Sequence, residues 1–284
     1  MPKKTLVTGA TGTIGREVAK HLAAQGVSMR AGVRDRARAR KHFGDEIELV
    51  AFAFEDERLV ADALEDMEKV FLLPPLMPRQ VEVTNAFVDA AQSAGVQHIV
   101  KLSAIGVETE TFAVGESHAA NEHHIRNSGL AFTFLRPNSF MQNFINYFPP
   151  RDGVIHLPWG NGKASFVDAR DVASVAAQAL TNEAHQNKIY TLTGPAALSI
   201  DEVARALSHV AGREIRYVDV PESAARDAML NTGMAEWQVD SLMELHAINK
   251  QSRWNTITSD VQEVTGKPAI DFREFARDHA DKFR

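Results

Sequence analysis

Along the first half of the chain the hydrophobic pattern switches repeatedly between two periods. Short apolar runs at 5–7, 28–33, 47–54, 69–73, 98–103 and 131–135 read as strands. Between them, apolar positions recur at helical spacing over 16–22, 59–66, 79–93 and 116–128. The longer of these stretches are long enough to cross over between parallel strands. Runs such as Val70-Phe71-Leu72-Leu73 and Ile99-Val100 are continuously apolar, as befits strands covered on both faces. The pattern predicts an α/β fold built on a doubly wound parallel sheet.

Beyond Pro149-Pro150-Arg-Asp-Gly153 the alternation loosens. Apolar runs at 154–157 and 164–167 flank a Gly160-Asn-Gly162 turn, and a helix at 171–180 and a strand at 188–192 follow. The remainder reads as helices at 200–211, 222–231, 234–249 and 272–282 with one strand at 214–218. The expected organisation is a sheet domain over 1–152 and 165–195, and a smaller, mainly helical lobe over 153–164 and 196–284. The chain carries no internal repeat and no low-complexity segment.

Gly9-Ala-Thr-Gly12-Thr-Ile-Gly15 stands between the first strand and the first helix. Glycines so spaced let the backbone turn sharply and approach a pyrophosphate, which meets amide N–H groups and the positive end of the helix dipole. Gly9, Thr11, Gly12, Thr13, Ile14 and Gly15 are therefore expected around a dinucleotide, in a Rossmann-type sheet. Ligands of such sheets sit beyond the carboxyl ends of the strands, which directs attention to Gly9, Arg34, Phe54, Pro74, Ser103 and Pro137.

A binder of the unphosphorylated cofactor places Asp or Glu about twenty residues past the glycines, on the adenosine ribose. Here that position is Arg34, within the basic run Arg34-Asp-Arg36-Ala-Arg38-Ala-Arg40-Lys41. A guanidinium meets a 2′-phosphate with paired charge-assisted hydrogen bonds, and Arg36, Arg38 and Arg40 would add to its field. NADP(H) is thus preferred and NAD(H) tolerated. The alternative reading of the run is a solvated helix face.

Composition narrows the partners. A formal charge of −6 argues against nucleic acid as the primary ligand, and the lack of cysteine excludes disulfides, thiolate metal sites and a cysteine nucleophile. His123 and His124 are adjacent on a helix and point different ways, so no metal site is expected. Met-Pro-Lys-Lys leads directly into the first strand, and no apolar run nears the roughly 20 residues that span a bilayer. The expectation is a cytoplasmic protein without a membrane segment, a monomer or homodimer.

Together with Thr8 to Gly15 and Val33-Arg34, the segments Val70 to Pro75, Ala94 to Val100, Ser128 to Pro137 with Phe140 to Phe144, and Phe166 to Asp171 resemble the NmrA-like branch of the short-chain dehydrogenase/reductase superfamily. That branch includes NADPH-dependent quinone, azo-dye and triphenylmethane reductases, ergot-alkaloid reductases, and redox-sensing regulators without known catalysis. Most catalytic members of the wider superfamily use a helix-borne Tyr-x-x-x-Lys to pass a proton to a carbonyl. None of the three tyrosines, Tyr147, Tyr190 and Tyr217, has a lysine four residues on. Counting back from Glu122, the resemblance puts Val114 at the tyrosine place and His118 at the lysine place.

A conjugated acceptor needs less help, because it delocalises the arriving charge. The resemblance implies a hydride donor site with Ser103, His118, Pro137 and Asn138 near the nicotinamide, and Leu73, Pro74 and Pro75 walling the crevice. Ser103 and His118 are the catalytic candidates. His118 is read three ways: holding the nicotinamide ribose, offering a proton, or pairing with Glu122 one turn on. Phe140, Met141 and Phe144 are read either as core or as a wall for a flat hydrophobic acceptor. Two functions stand beside each other: an NADPH-dependent reductase of a small conjugated hydrophobic acceptor, and a noncatalytic NADP(H)-binding regulator.

Overall fold

Strands and crossover helices alternate through the first half of the computed structural model, which describes residues 4–45, 47–109 and 111–284. Met1 to Lys3, expected to lead into the first strand, lie outside the described residues. The order is β1 (Thr5–Val7), α1 (Thr13–Ala24), β2 (Met29–Val33), α2 (Arg36–Phe43), β3 (Glu48–Ala51), α3 (Glu57–Leu64), β4 (Lys69–Leu72), α4 (Gln80–Ser93), β5 (His98–Leu102), α5 (Ala113–Asn127) and β6 (Ala131–Pro137). A short α6 (Asn143–Asn146), β7 (Val154–Leu157), β8 (Lys163–Ala164), α7 (Ala169–Thr181) and β9 (Lys188–Leu192) follow. Then come β10 (Leu198–Ser199), α8 (Ile200–Ala211), β11 (Arg216–Asp219), α9 (Glu222–Asn231), α10 (Glu236–Lys250), α11 (Asp260–Thr265) and α12 (Phe272–Asp278).

Seven strands form one sheet in the order β3-β2-β1-β4-β5-β6-β9. Every registered pairing among β1 to β6 is parallel, and β2, β4 and β5 are buried along their whole length, in accord, for β4 and β5, with the apolar runs at 70–73 and 99–100. Strand order reverses between β1 and β4. This is the switch point at which ligands of doubly wound sheets bind.

The chain divides into two compact units, one of 1–108, 116–136 and 169–190, the other of 109–115, 137–168 and 191–284. In the first, α1 turns Val18, Ala19 and Leu22 inward and packs on the alanine-rich α7, while Leu6, Val70, Leu72, Ile99 and Phe134 build a core with Phe52 and Phe87. Asp35 caps α2 and Asp56 caps α3, each accepting backbone N–H groups of the first turn.

The second unit has its own core of Phe144, Trp159, Phe166, Leu207, Phe272 and Phe275. α8 is framed by a Ser199–Glu202 capping box and by Gly212 in the left-handed conformation, and it buries Ile200, Val203, Ala204 and Leu207. Its boundary falls at Pro137, ahead of the Pro149-Pro150 break expected from sequence. Backbone bonds explain the difference: Met141 N donates to Val167 O and Val167 N to Ser139 O, so 137–141 travels with 165–168. Of the expected strand at 164–167 only Ala164 belongs to a strand, the two-residue β8. It pairs with β10, and β7 pairs in parallel with β11, so the Gly160–Gly162 turn joins no hairpin. The expected helix over 272–282 ends at Asp278, followed by a single 3₁₀ turn.

Candidate functional site

The glycine turn has the shape its residue types dictate. Gly9 adopts φ +62°, and a Cβ there would come within 2.5 Å of Leu73 Cδ2. At Gly15 a Cβ would overlap the Gly9 carbonyl, so this glycine lets α1 begin tight against the turn. Gly12 differs from both. It is the N-cap of α1, has no side-chain cap, and a Cβ there would meet nothing nearer than Gly9 O at 3.3 Å. The first turn of this 12-residue helix holds no acidic residue, so its free N–H groups and dipole face open space above Gly12.

That space is a cavity of about 430 Å³ in the first unit, at the carboxyl ends of β1, β2, β3 and β4. Gly9, Thr11, Gly12, Arg34, Phe54, Leu73, Pro74 and Pro75 line it, so eight of the expected cofactor residues are brought together. Thr13 and Ile14 start α1 beside it, with Thr13 exposed and Ile14 buried. Thr8 draws the far wall in: its hydroxyl donates to Phe71 O and accepts Leu73 N–H. Phe54 stands edge-on to Phe52 at 4.8 Å and to Phe87 at 5.4 Å, which fixes an aromatic side to the cavity.

Arg34 and Arg38 form a cationic lip, joined by His42 one turn further along α2. Arg34 and Arg38 are exposed and make no ion pair among the described residues. The expected contributions of Arg36 and Arg40 are corrected: Arg36 is not part of the lining, and Arg40 is held by Asp45 at 3.2 Å and by Gly44 O. Sequence reasoning missed His42 and Asp35. Asp35 lines the cavity, but its carboxylate accepts the backbone N–H of Arg38 at 2.9 Å. The residues fit NADP(H): bare backbone and a helix N-terminus for the pyrophosphate, and free guanidinium groups for a 2′-phosphate.

A second polar group occupies the first unit at β5, α5 and β6. Ser103 Oγ donates to Glu122 Oε1 at 2.6 Å, and Arg136 clamps the same carboxylate through Nε at 3.0 Å and NH2 at 2.5 Å. The expectation of Ser103 as a free catalytic hydroxyl is corrected, since its proton is committed to Glu122. His118 does not pair with Glu122 either. Its Nδ1 lies 2.9 Å from Lys101 Nζ. Burial works against the Arg136 guanidinium, yet its bonds to Glu122 and Glu108 outweigh this and raise its pKa. Lys101 went unread in the sequence, although a lysine in the run Ile99-Val-Lys-Leu102 is itself a signal.

The remaining expected residues lie in the second unit. Asn138 Nδ2 donates to Ser165 Oγ and Trp254 O, each at 2.7 Å, and its Oδ1 accepts Ser139 N. The side-chain amide expected at a nicotinamide is thus a buried clamp. Pro137 is buried at the end of β6. Met141 and Phe144, each 1 % exposed, belong to the core, which answers the choice between core and wall for these two. Phe140 is partly exposed and bridges to Val167. Tyr147 is exposed, Tyr190 OH meets His185 Nδ1, and Tyr217 OH bonds Leu157 O and Asp219. No described helix is long and apolar enough to cross a membrane.

A family model described as the NmrA-like family matches residues 1–268. The chain is 41% identical over 281 residues to the NAD(P)H azoreductase of Xenophilus azovorans, covering 98% of each. Among solved structures it is similar to the NADPH complex of quinone oxidoreductase QOR2 from Escherichia coli, with TM-score 0.86, 23% identity, and 96% and 98% of the two chains covered. It is equally similar to the NADP(H) complex of Citrobacter sp. triphenylmethane reductase, with TM-score 0.86, 24% identity, and coverage of 98% and 99%.

Proposed function

Since this chain belongs to the NmrA-like family, we propose that it is an NADPH-dependent reductase that passes hydride to a small conjugated acceptor of the quinone, azo or arylmethane-dye type. The observation that carries this reading is the bare Gly12 backbone at an uncapped helix N-terminus, opposite the free Arg34 and Arg38. NAD(P)H-dependent oxidoreduction accords with the relative that is 41% identical, an NAD(P)H azoreductase. Bound NADPH supplies the hydride; the chain supplies binding, orientation and exclusion of water.

In this reading Gly9, Thr11, Gly12, Thr13, Ile14 and Gly15 hold the pyrophosphate, Arg34 with Arg38 holds the 2′-phosphate, and Leu73, Pro74 and Pro75 wall the crevice. His118 is the candidate for the reacting end, and Phe140 is the remaining candidate for contact with the acceptor. Without a tyrosine-lysine dyad, catalysis consists chiefly of alignment with an acceptor that stabilises its own charge.

Anaerobic NADPH oxidation against a panel of quinones, azo dyes, cationic dyes and simple ketones tests the proposal. Turnover of the conjugated acceptors with poor turnover of ketones is expected. Efficient reduction of an unactivated ketone would demand a positioned acid of the dyad type and overturn the mechanism. Tight NADPH binding with no turnover of any conjugated acceptor would mean a noncatalytic NADP(H)-binding regulator.

A further inference from the structure

Lys101 is 0 % exposed in the middle of β5, a strand buried along its whole length. A lysine so placed carries a heavy desolvation penalty unless something uses it. Among the described residues it makes no ion pair, because the nearest carboxylate, Glu122, is taken by Ser103 and Arg136. Its Nζ instead reaches Leu102 O at 3.2 Å and His118 Nδ1 at 2.9 Å. An ammonium only donates, so His118 Nδ1 is the acceptor and the imidazole proton sits on Nε2. That nitrogen has no protein partner among the described residues and is not among the polar atoms closed to solvent.

We infer that Lys101 and His118 form a proton relay for the reduction proposed above, on which this inference rests. As hydride arrives at a quinone or azo acceptor, His118 gives the acceptor its Nε2 proton and takes a proton at Nδ1 from Lys101 Nζ. The cofactor is oxidised by loss of the hydride and the acceptor gains hydride plus proton. His118 stays neutral in the other tautomer, and Lys101 becomes a neutral amine. A solvent proton added at Nε2 then returns the Nδ1 proton to Lys101.

The chemistry of the pair suits this task. Burial pushes Lys101 down to about 7, with Glu122 opposing the shift and Arg136 adding to it. Burial, with the Lys101 charge, holds His118 well below the usual imidazole range, so it stays neutral. A neutral imidazole N–H is too weak an acid to act alone. Refilled from an ammonium as it empties, it acts with the strength of the lysine. The other charged groups around the pair are Glu122 and Arg136, with Glu108 beyond Arg136.

The test has a spectroscopic and a kinetic arm. In the protein without cofactor, imidazole nitrogen shifts should show His118 as the Nε2–H tautomer and Lys101 titrating near neutral pH. Lys101→Met should abolish the tautomer bias and raise the His118 pKa. In single turnovers with NADPH, a quinone needs a proton with its hydride, whereas a cationic triphenylmethane dye needs hydride alone. Lys101→Met should lower the ratio of quinone to dye rate by about 100-fold, in the range of general acid catalysis. It should also remove the fall of the quinone rate as pH rises through about 7. If Lys101→Met does not fold, His118→Gln must show the same drop in ratio. An unchanged ratio, or a lysine titrating at its ordinary value, overturns the relay alone. A wild-type protein that reduces neither acceptor overturns the reductase reading and the relay with it.

Discussion

The Thr8 hydroxyl accepts the backbone N–H of Leu73 at 2.9 Å while donating to the Phe71 carbonyl at 3.1 Å. One fully buried oxygen therefore ties the end of β1 to the turn after β4, and sets how closely Leu73 approaches Gly9. Thr8→Val keeps the shape and strands the Leu73 N–H. Stability should fall by about 1–3 kcal/mol, the penalty of a buried unsatisfied group, with weaker NADPH binding. Urea denaturation with a cofactor titration measures both, and an unchanged midpoint would dismiss the clasp.

Gly12 and Gly15 should separate binding from folding. At Gly12 the nearest atom to a Cβ is 3.3 Å away, so Gly12→Val should fold and lose NADPH by filling the space above the helix N-terminus. Gly15→Val must displace the Gly9 carbonyl and should unfold at lower urea. Circular dichroism and isothermal titration on the pair decide this. Normal cofactor binding by Gly12→Val would refute the cradle.

Arg34→Asp should weaken NADPH by about 1.5–3 kcal/mol, the scale of hydrogen bonds to charged groups, and NADH far less. The NADPH preference should shrink with added salt. Arg38→Ala should have a smaller effect in the same direction, and Arg40→Ala none, since Arg40 is already paired with Asp45. Equal losses for both cofactors in Arg34→Asp would make Arg34 structural.

Two buried histidines should make stability depend on pH. Burial pushes His98 and His246 down to about 4, helped at His98 by the Lys69 charge, and Trp159 Nε1 donates to His246 Nδ1 at 2.7 Å. The unfolded chain binds these protons near pH 6.5, so it is the better proton acceptor. The stabilisation is complete above about pH 6.5 and is lost as pH falls towards about 4, by about 3 kcal/mol per histidine. Urea midpoints across that window should decline, and His246→Gln should remove part of the slope. A flat profile would contradict the closed environment of both rings.

Where backbone geometry is demanded locally, the sequence is legible. Gly9, Gly12 and Gly15 announce the cradle because no other residue type fits φ +62° at Gly9 or the contact at Gly15 without displacing neighbours. Apolar runs announce the strands for the same reason, since burial on both faces admits little else. Pairings across the chain were not legible. Lys101 and His118 are 17 positions apart and Ser103 and Glu122 are 19 apart, joined only when α5 lies along β5. Met141 and Phe144 show the same limit from the apolar side, because a core position and a pocket wall call for the same residue types. The second unit resisted most: β8 and β10 are two residues each, and their pairing has no periodicity to reveal it.

Beside Arg34, the chain holds a carboxylate one position from the place where an NAD binder carries its acid, but Asp35 accepts the Arg38 N–H at the head of α2. Turning that acid towards a ribose would uncap the helix that carries Arg38 and His42. By that route cofactor choice and the anchoring of α2 depend on the same side chain. A redesign that recruits Asp35 to a ribose must first furnish α2 with a new cap, whereas one that places the acid at position 34 leaves that cap in place.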